Sequence, residues 1–215
     1  MAAVKEALAP TRRARRAAET RRRIVAAARS QFESHGFEGA RIEDMAAEAD
    51  VSVATVYKVF GTKAALLEAA LDAAMTGSAN DRVERQAWWQ EQLEEPDARR
   101  QLALIARNAR RIYERAGVLL QVARTAAAND RGIAALWRRI NDERLERSRS
   151  SMARLAAKKP LRSGLTVSDA ALTIWSLTGP ELYSLRVGVL GRSPRDYERW
   201  LADLLIAALL SDLGT

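Results

Sequence analysis

The sequence predicts an all-α protein, and three observations support this fold class. Ala, Leu, Arg and Glu, which are strong helix formers, dominate the composition. Apolar residues recur at helical spacing, and the chain is poor in the alternation of apolar and polar residues that is typical of strands. Gly, Pro and Asp divide the chain into about nine or ten helical segments, a short first cluster and then a larger body. We therefore expect an N-terminal three-helix domain followed by a C-terminal helical domain.

The composition of the 215-residue chain excludes several classes of protein. There is no cysteine and a single histidine, His35, so disulfides, thiolate sites and sites that need two histidines are excluded. No Gly-rich phosphate loop is present, and we expect no enzyme, no metal and no cofactor. No apolar run approaches the roughly 18 residues of a membrane span, and no apolar stretch follows the basic N-terminus as it would in a secretory signal. We expect a soluble, cytoplasmic protein that does not bind membranes.

The net charge of +8 is concentrated at the N-terminus. Residues 1–23 contain eight basic and two acidic side chains, a net charge of +6, so the rest of the chain contributes only +2. A basic arm on a nearly neutral body is typical of a terminus that binds nucleic acid. The alternative is a solvated tail with no partner. We predict that residues 1–19 form a basic, disordered arm.

The first predicted helix runs from Thr20 to His35. Thr20 is suited to cap its start, and Gly36 to adopt the left-handed conformation that ends a helix. Apolar residues fall on one face of this helix at helical spacing, namely Ile24, Ala27, Ala28 and Phe32.

Residues 42–59 have the pattern of two short helices joined by a tight turn. Asp50 and Val51 form the turn, and Ser52 is a good N-cap for the second helix. We expect the inward faces of the two helices to hold Met45, Ala46, Ala49, Val56 and Val59. Two short helices locked in this way form a helix-turn-helix, whose second helix fits the major groove of DNA.

The outward residues of the second helix suit contact with DNA. Val53, Ala54 and Lys58 are candidates for base edges, since small apolar side chains contact thymine methyls and a lysine reaches guanine or phosphate. The polar side chains of Ser52, Thr55, Tyr57 and Lys63 are candidates for phosphate contacts. The alternative is a generic helical hairpin in which Tyr57 packs in a core.

These residues resemble the DNA-binding domain of the TetR family. The first helix carries the pattern in Thr20, Arg21, Ile24, Ala27, Ala28, Phe32, Gly36 and Phe37. The pattern continues without a gap in Ile42, Met45, Ala46, Ala49, Val51, Ser52, Thr55, Val56, Tyr57, Phe60, Lys63 and Leu66. The resemblance implies a DNA-binding domain over residues 20–71, a ligand-binding and dimerisation domain over residues 72–215, and repression released by a small ligand.

Two positions depart from the family pattern. The turn usually has Gly where this chain has Asp50, and Asp tolerates the left-handed conformation, so we expect the turn to survive. A threonine often precedes the motif where Ala40 and Arg41 stand. Arg41 is therefore a candidate for a charged phosphate contact in place of a hydroxyl contact. The basic extension before Thr20 is longer than the family requires, and we expect it to add minor-groove or phosphate contacts.

The second domain carries no local signature of catalytic chemistry, but its aromatic residues are candidates for a pocket. The residues predicted to line a largely apolar pocket for a small-molecule effector are Trp88, Trp89, Tyr113, Trp137 and Trp175. Polar selectors are expected among Asn108, Arg110 and Gln121. The alternative is that each of these residues is an ordinary core or surface aromatic.

The C-terminal helices predict a homodimer. Pro180 interrupts one apolar helix, and Ser193 with Pro194 is a good start for the final helix. The family resemblance implies that such helices pair with their copies in a four-helix bundle, and the alternative is burial within one chain. Two motifs one turn of DNA apart, roughly 34–36 Å, then read a palindromic operator in double-stranded DNA.

Two readings of function remain at this point. The first is a transcriptional regulator, either repressor or activator, whose effector favours a DNA-incompetent state. The second is a helical ligand-binding or scaffolding protein with a vestigial motif, which would show no salt-dependent affinity for DNA.

Overall fold

The computed structural model describes residues 11–77 and 82–211, and these form two compact units divided between Ala70 and Leu71. The first helices are α1 (Arg12–Gly39), α2 (Ile42–Glu48), α3 (Val53–Phe60) and α4 (Lys63–Thr76). They are followed by α5 (Ala87–Glu94), α6 (Ala98–Ala126), α7 (Arg131–Lys158), α8 (Val167–Leu177), α9 (Pro180–Tyr183) and α10 (Pro194–Leu209). A 3₁₀ turn covers Val83–Arg85 and a π-helical turn covers Ser184–Val189.

The predicted all-α fold class is confirmed. Within the described ranges the β-type pairing is one isolated bridge between Leu161 and Leu210. None of the helices in this part of the chain combines the length and apolar composition that a membrane crossing requires.

Helix α1 begins earlier than predicted, at Arg12 instead of Thr20. Thr11 caps it, since the Thr11 hydroxyl accepts a hydrogen bond from the Ala14 N–H at 3.2 Å. The prediction of disorder was therefore wrong for residues 12–19, while residues 1–10 lie outside the described residues. The physical reason is that a run of Arg, Ala and Glu adds turns at little cost to a helix whose core-facing part is already formed.

Gly36 interrupts α1 as predicted. Its φ of 69° lies in the left-handed region, and the backbone there is not helical. Upstream of it, α1 buries one apolar face in the first unit, with Phe32 fully buried and its ring stacked on Phe37 at 6.0 Å. The core of this unit also contains Ile24, Val25, Ala28, Met45, Val56, Leu66 and Leu67.

Two long helices, α6 and α7, organise the second unit. Helix α10 packs along α6 and α8 packs along α7. The N-terminus of α10 has the predicted Ser193 cap and Pro194 at its start, and its buried face holds Tyr197, Leu201, Leu205 and Leu209. Much of the apolar stripe of the final helix is therefore buried within one chain, which is the alternative raised above for that face.

Candidate DNA-binding motif and effector cavity

Local hydrogen bonds hold the turn between α2 and α3. Asp50 adopts φ 50° in the left-handed region, as predicted for a residue in place of Gly. The Val51 N–H donates to the Ala46 carbonyl at 3.0 Å, which closes the end of α2. Ser52 is the N-cap of α3, and its hydroxyl accepts from the Thr55 N–H at 3.1 Å and contacts the Thr55 hydroxyl at 2.8 Å. The predicted helix-turn-helix is thus present with its predicted cap.

The outer surface of α3 faces solvent. Tyr57 is 51% exposed, so the alternative in which Tyr57 packs in a core is wrong. Ala54 and Lys58 are exposed, while Val53 and Thr55 are half-buried. These side chains form a mixed apolar, hydroxyl and cationic surface, which is the chemistry that reads base edges and phosphates.

Val59 corrects the prediction for the inner face of α3. It was expected to pack inward with Val56, but it is 37% exposed whereas Val56 is buried. Helix α3 has only eight residues, and Val56 alone is directed fully into the angle with α2. A position three residues later points about 60° away from Val56, and on so short a helix this offset places Val59 at the edge of the buried face.

Arg41 and Lys63 flank the motif with different partners. Arg41 is exposed and lies 3.8 Å from the Glu43 carboxylate. The Lys63 ammonium donates to the Glu38 carbonyl at 3.3 Å and sits 4.9 Å from the centre of the Phe37 ring. In the described state Lys63 therefore helps to hold the end of α1.

The positive charge of the first unit comes from the start of α1. Residues 24–70 contain four basic and seven acidic side chains, a net charge of −3. Exposed arginines on the first turns of α1 include Arg12, Arg13 and Arg16. Any attraction of this unit to a polyanion depends on that extension.

A cavity of about 110 Å³ lies within the second unit. Its apolar and aromatic walls include Trp88, Trp89, Ile105, Tyr113, Ile140 and Ile174. Its polar lining consists of Gln92, Asn108, Arg144, Arg147, Ser148, Ser151 and Thr178. The rings of Trp88 and Trp89 meet edge to face at 6.5 Å.

The polar groups of the cavity form a connected network. Gln92 donates to the Ser151 hydroxyl at 3.1 Å, and Asn108 donates to the Gln92 side-chain oxygen at 3.0 Å. The Tyr113 hydroxyl donates to the Thr178 carbonyl, which also accepts from Arg144 at 3.2 Å. Burial raises the pKa of the Tyr113 phenol, so the phenol remains a hydrogen-bond donor.

The first unit identifies the family. Residues 24–70 match the model of the bacterial regulatory proteins of the tetR family. This part of the first unit is therefore a TetR-type regulatory domain. No curated protein sequence matches it.

Solved structures extend the likeness of this chain beyond its first unit. NalD of Pseudomonas aeruginosa, the secondary repressor of the MexAB-OprM multidrug efflux pump, is 21% identical with a TM-score of 0.68 over 93% of this chain and 100% of NalD. A regulator from Saccharomonospora viridis in complex with choline is 20% identical with a TM-score of 0.67 over 90% of this chain and 99% of its own. SmeT bound to triclosan is 21% identical with a TM-score of 0.69 over 90% of this chain and 93% of SmeT. At these identities the likeness establishes the fold.

The structure brings together only some of the aromatic residues predicted to line the pocket. Trp88, Trp89 and Tyr113 line the cavity, but Trp137 and Trp175 do not. The Trp175 ring lies under the Arg144 guanidinium at 5.4 Å, and its ring N–H donates to the Asn141 carbonyl at 3.2 Å. It is therefore occupied in the interface between α7 and α8.

Only one of the three predicted polar selectors lines the cavity. Asn108 lines the cavity, whereas Arg110 pairs with Glu114 and Glu198 and Gln121 is exposed. Sequence reasoning missed the polar residues that α7 contributes, namely Arg144, Arg147, Ser148 and Ser151. Their spacing of three and four residues between the buried Ile140 and Leu155 was the available signal, because it marks a polar stripe on one face of a helix.

Proposed function

We propose that this protein is a TetR-family transcriptional repressor that binds a palindromic operator as a homodimer and is released by a small-molecule effector. It acts in the cytoplasm. The observation that supports DNA binding most directly is the exposed outer face of α3, with Tyr57 half exposed on a helix capped by Ser52. A rigid, capped helix that presents hydroxyl and cationic groups to solvent suits the major groove.

Exposed apolar side chains support the proposed dimer. Leu172 on α8 is 48% exposed, and Leu185, Val189 and Leu190 in and after the π-helical turn are 46–73% exposed. A second copy of the chain is the occupant we propose for this surface, because a two-fold interface buries the same apolar residues on both subunits. It also supplies the second recognition helix that a palindrome requires.

The cavity and the solved structures of similar fold support the proposal of repression and effector release. NalD is described as a repressor, and the S. viridis and SmeT structures hold choline and triclosan. A concave, largely apolar cavity with a few convergent polar groups is the usual form of a small-molecule site. An effector that binds the DNA-incompetent state more tightly lowers operator affinity by about 5- to 150-fold in typical allosteric proteins.

Operator selection tests the proposal. Duplex DNA bound by the full chain is recovered from a random pool, and the enriched sequence is titrated with protein. We expect a palindrome, and we expect Tyr57→Ala and Lys58→Ala to weaken binding at least about 10-fold, since losing a good base or phosphate contact costs about 1–3 kcal/mol. Gln121→Ala, at an exposed position of the second unit, is the matched control and should bind as the parent does. Failure to enrich any sequence, with no salt-dependent binding, would refute DNA recognition and favour the ligand-binding scaffold.

A further inference from the structure

We propose that the cavity of the second unit binds a small organic anion. This ligand has an apolar part the size of one aromatic ring, an acidic group that pairs with Arg144, and a donor for a hydrogen bond to Asn108. The inference rests on the proposed function only in calling this molecule the effector. The class of ligand follows from the cavity itself.

The walls and the size of the cavity indicate what the apolar part of the ligand is. A cavity of about 110 Å³ is of the order of the engineered 150 Å³ cavity that accepts benzene. Trp88, Trp89 and Tyr113 contribute aromatic surface, and aromatic rings favour offset or edge-to-face contact with another ring. One aromatic ring with small substituents therefore matches the cavity.

The charge of the lining selects an anion. Two guanidinium groups, from Arg144 and Arg147, line the cavity, and none of the lining residues is Asp or Glu. Arg147 already has carboxylate partners, Glu84 at 2.9 Å and Glu143 at 3.6 Å. A cationic ligand would be repelled by Arg144, which has no carboxylate partner in the described part of the chain, whereas an acidic ligand would gain a favourable pairing with it.

Arg144 differs from Arg147 in the partners of its guanidinium. Its guanidinium donates hydrogen bonds to the Asn141 side-chain oxygen at 3.0 Å and to the carbonyls of Trp175 and Thr178 at 2.9 and 3.2 Å. Among the described residues no carboxylate oxygen lies within 4.0 Å of it. A partly buried cation that is surrounded by neutral dipoles and a ring face gains from a counter-ion, and a planar guanidinium binds a carboxylate with two parallel hydrogen bonds.

Asn108 supplies the second polar requirement. The side chain is only 4% exposed, and its Nδ2 donates to the Gln92 oxygen at 3.0 Å and the Trp88 carbonyl at 3.4 Å. Its Oδ1 is buried without a hydrogen-bond partner. Since Gln92 uses its own N–H on Ser151, the direction of these hydrogen bonds leaves the Asn108 oxygen, on a residue that lines the cavity, as an acceptor without a donor. A ligand hydroxyl or N–H satisfies it, and a buried acceptor left unpaired is costly.

Matched pairs of probes test the charge requirement. The first pair is 4-hydroxybenzoate with its neutral amide, 4-hydroxybenzamide, and the second is benzoate with benzamide, with tyramine as the cationic probe. Binding to the full-length protein is measured by calorimetry and by the shift in Tm. We expect a carboxylate to bind at least about 10-fold more tightly than its amide, because a charge-assisted, bidentate pair is worth about that factor or more.

Variants assign the binding energy to the two residues. Arg144→Gln should abolish the preference for carboxylate over amide, and Arg144→Lys should keep part of it because the charge remains. The matched control is Arg149→Gln, an exposed arginine on the same helix outside the cavity, which should change nothing. Asn108→Leu should reduce the preference for 4-hydroxybenzoate over benzoate, which lacks the donor. The variants are compared only after circular dichroism shows parental helicity, and Arg144→Lys keeps the test informative if Arg144→Gln does not fold.

The proposal fails if neither carboxylate binds more tightly than its amide, if tyramine binds best, or if Arg144→Lys and Arg144→Gln leave the carboxylate preference unchanged. Operator titration of the same samples separates this failure from failure of the proposed function. Operator binding without carboxylate preference refutes the ligand class alone. Carboxylate binding without any operator refutes the repressor and leaves the ligand class standing.

Discussion

The arginines at the start of α1 lead to a quantitative prediction about DNA binding. Residues 24–70 carry a net charge of −3, so the excess positive charge of the first unit lies in residues 12–23. Replacing the exposed Arg12, Arg13 and Arg16 by Gln removes three positive charges and leaves good helix formers in place. We therefore expect the variant to fold as the parent does and to bind the operator less tightly at low salt.

The magnitude follows from counter-ion release. The slope of log K against log salt concentration is negative, and each phosphate contact on B-DNA contributes about −0.9 to it. If all three arginines contact phosphates, replacing them makes this negative slope less steep by up to about 2.7 for each protomer that binds. The change should be the same for specific and non-specific DNA, since phosphate contacts carry no sequence information.

Fluorescence anisotropy at several salt concentrations measures both slopes. The control is a triple variant, Arg131→Gln, Arg138→Gln and Arg154→Gln, which removes the same charge from exposed positions of α7. We expect the control to lower affinity slightly and to keep the parental slope. An unchanged slope in the α1 variant, or an equal loss in both variants, would contradict direct phosphate contact by α1.

Three stability predictions follow from the first unit, each measured by denaturant unfolding of the full chain. Ser52→Ala should cost about 1 kcal/mol because the Thr55 N–H loses its cap, while Ser52→Gly should cost only a few tenths. Asp50→Gly should be tolerated, although the 3.5 Å ion pair between Asp50 and Arg23 is lost. Asp50→Val should cost about 1–2 kcal/mol, because residue 50 has a left-handed φ of 50° that a β-branched side chain adopts only with strain. An equal effect of both changes would argue against the left-handed turn. Phe32→Ala should cost about 3–5 kcal/mol, since the ring is fully buried, and a loss below about 1 kcal/mol would show that this helix does not hold the core.

Short-range features of this protein were predictable from its sequence. The Ser52 cap, the left-handed Asp50 and Gly36, and the Ser193–Pro194 start of α10 each depend on a residue and its near neighbours. The helix-turn-helix was predictable for the same reason, because its two helices and turn span fewer than about 20 residues and tertiary packing has little room to alter them. The start of α1 was mispredicted, although it is also local, since helix propensity prevailed over charge repulsion in residues 12–19.

The effector cavity was decided by tertiary structure. Its polar groups come from residues far apart in the chain, Gln92 on α5, Asn108 on α6, and Arg144 and Ser151 on α7. Which tryptophan lines a cavity and which lies between helices depends on the rotation and crossing of those helices, and many combinations satisfy the same apolar pattern. Periodicity identifies the buried face of a helix, but only the packed structure shows which side chains meet across it.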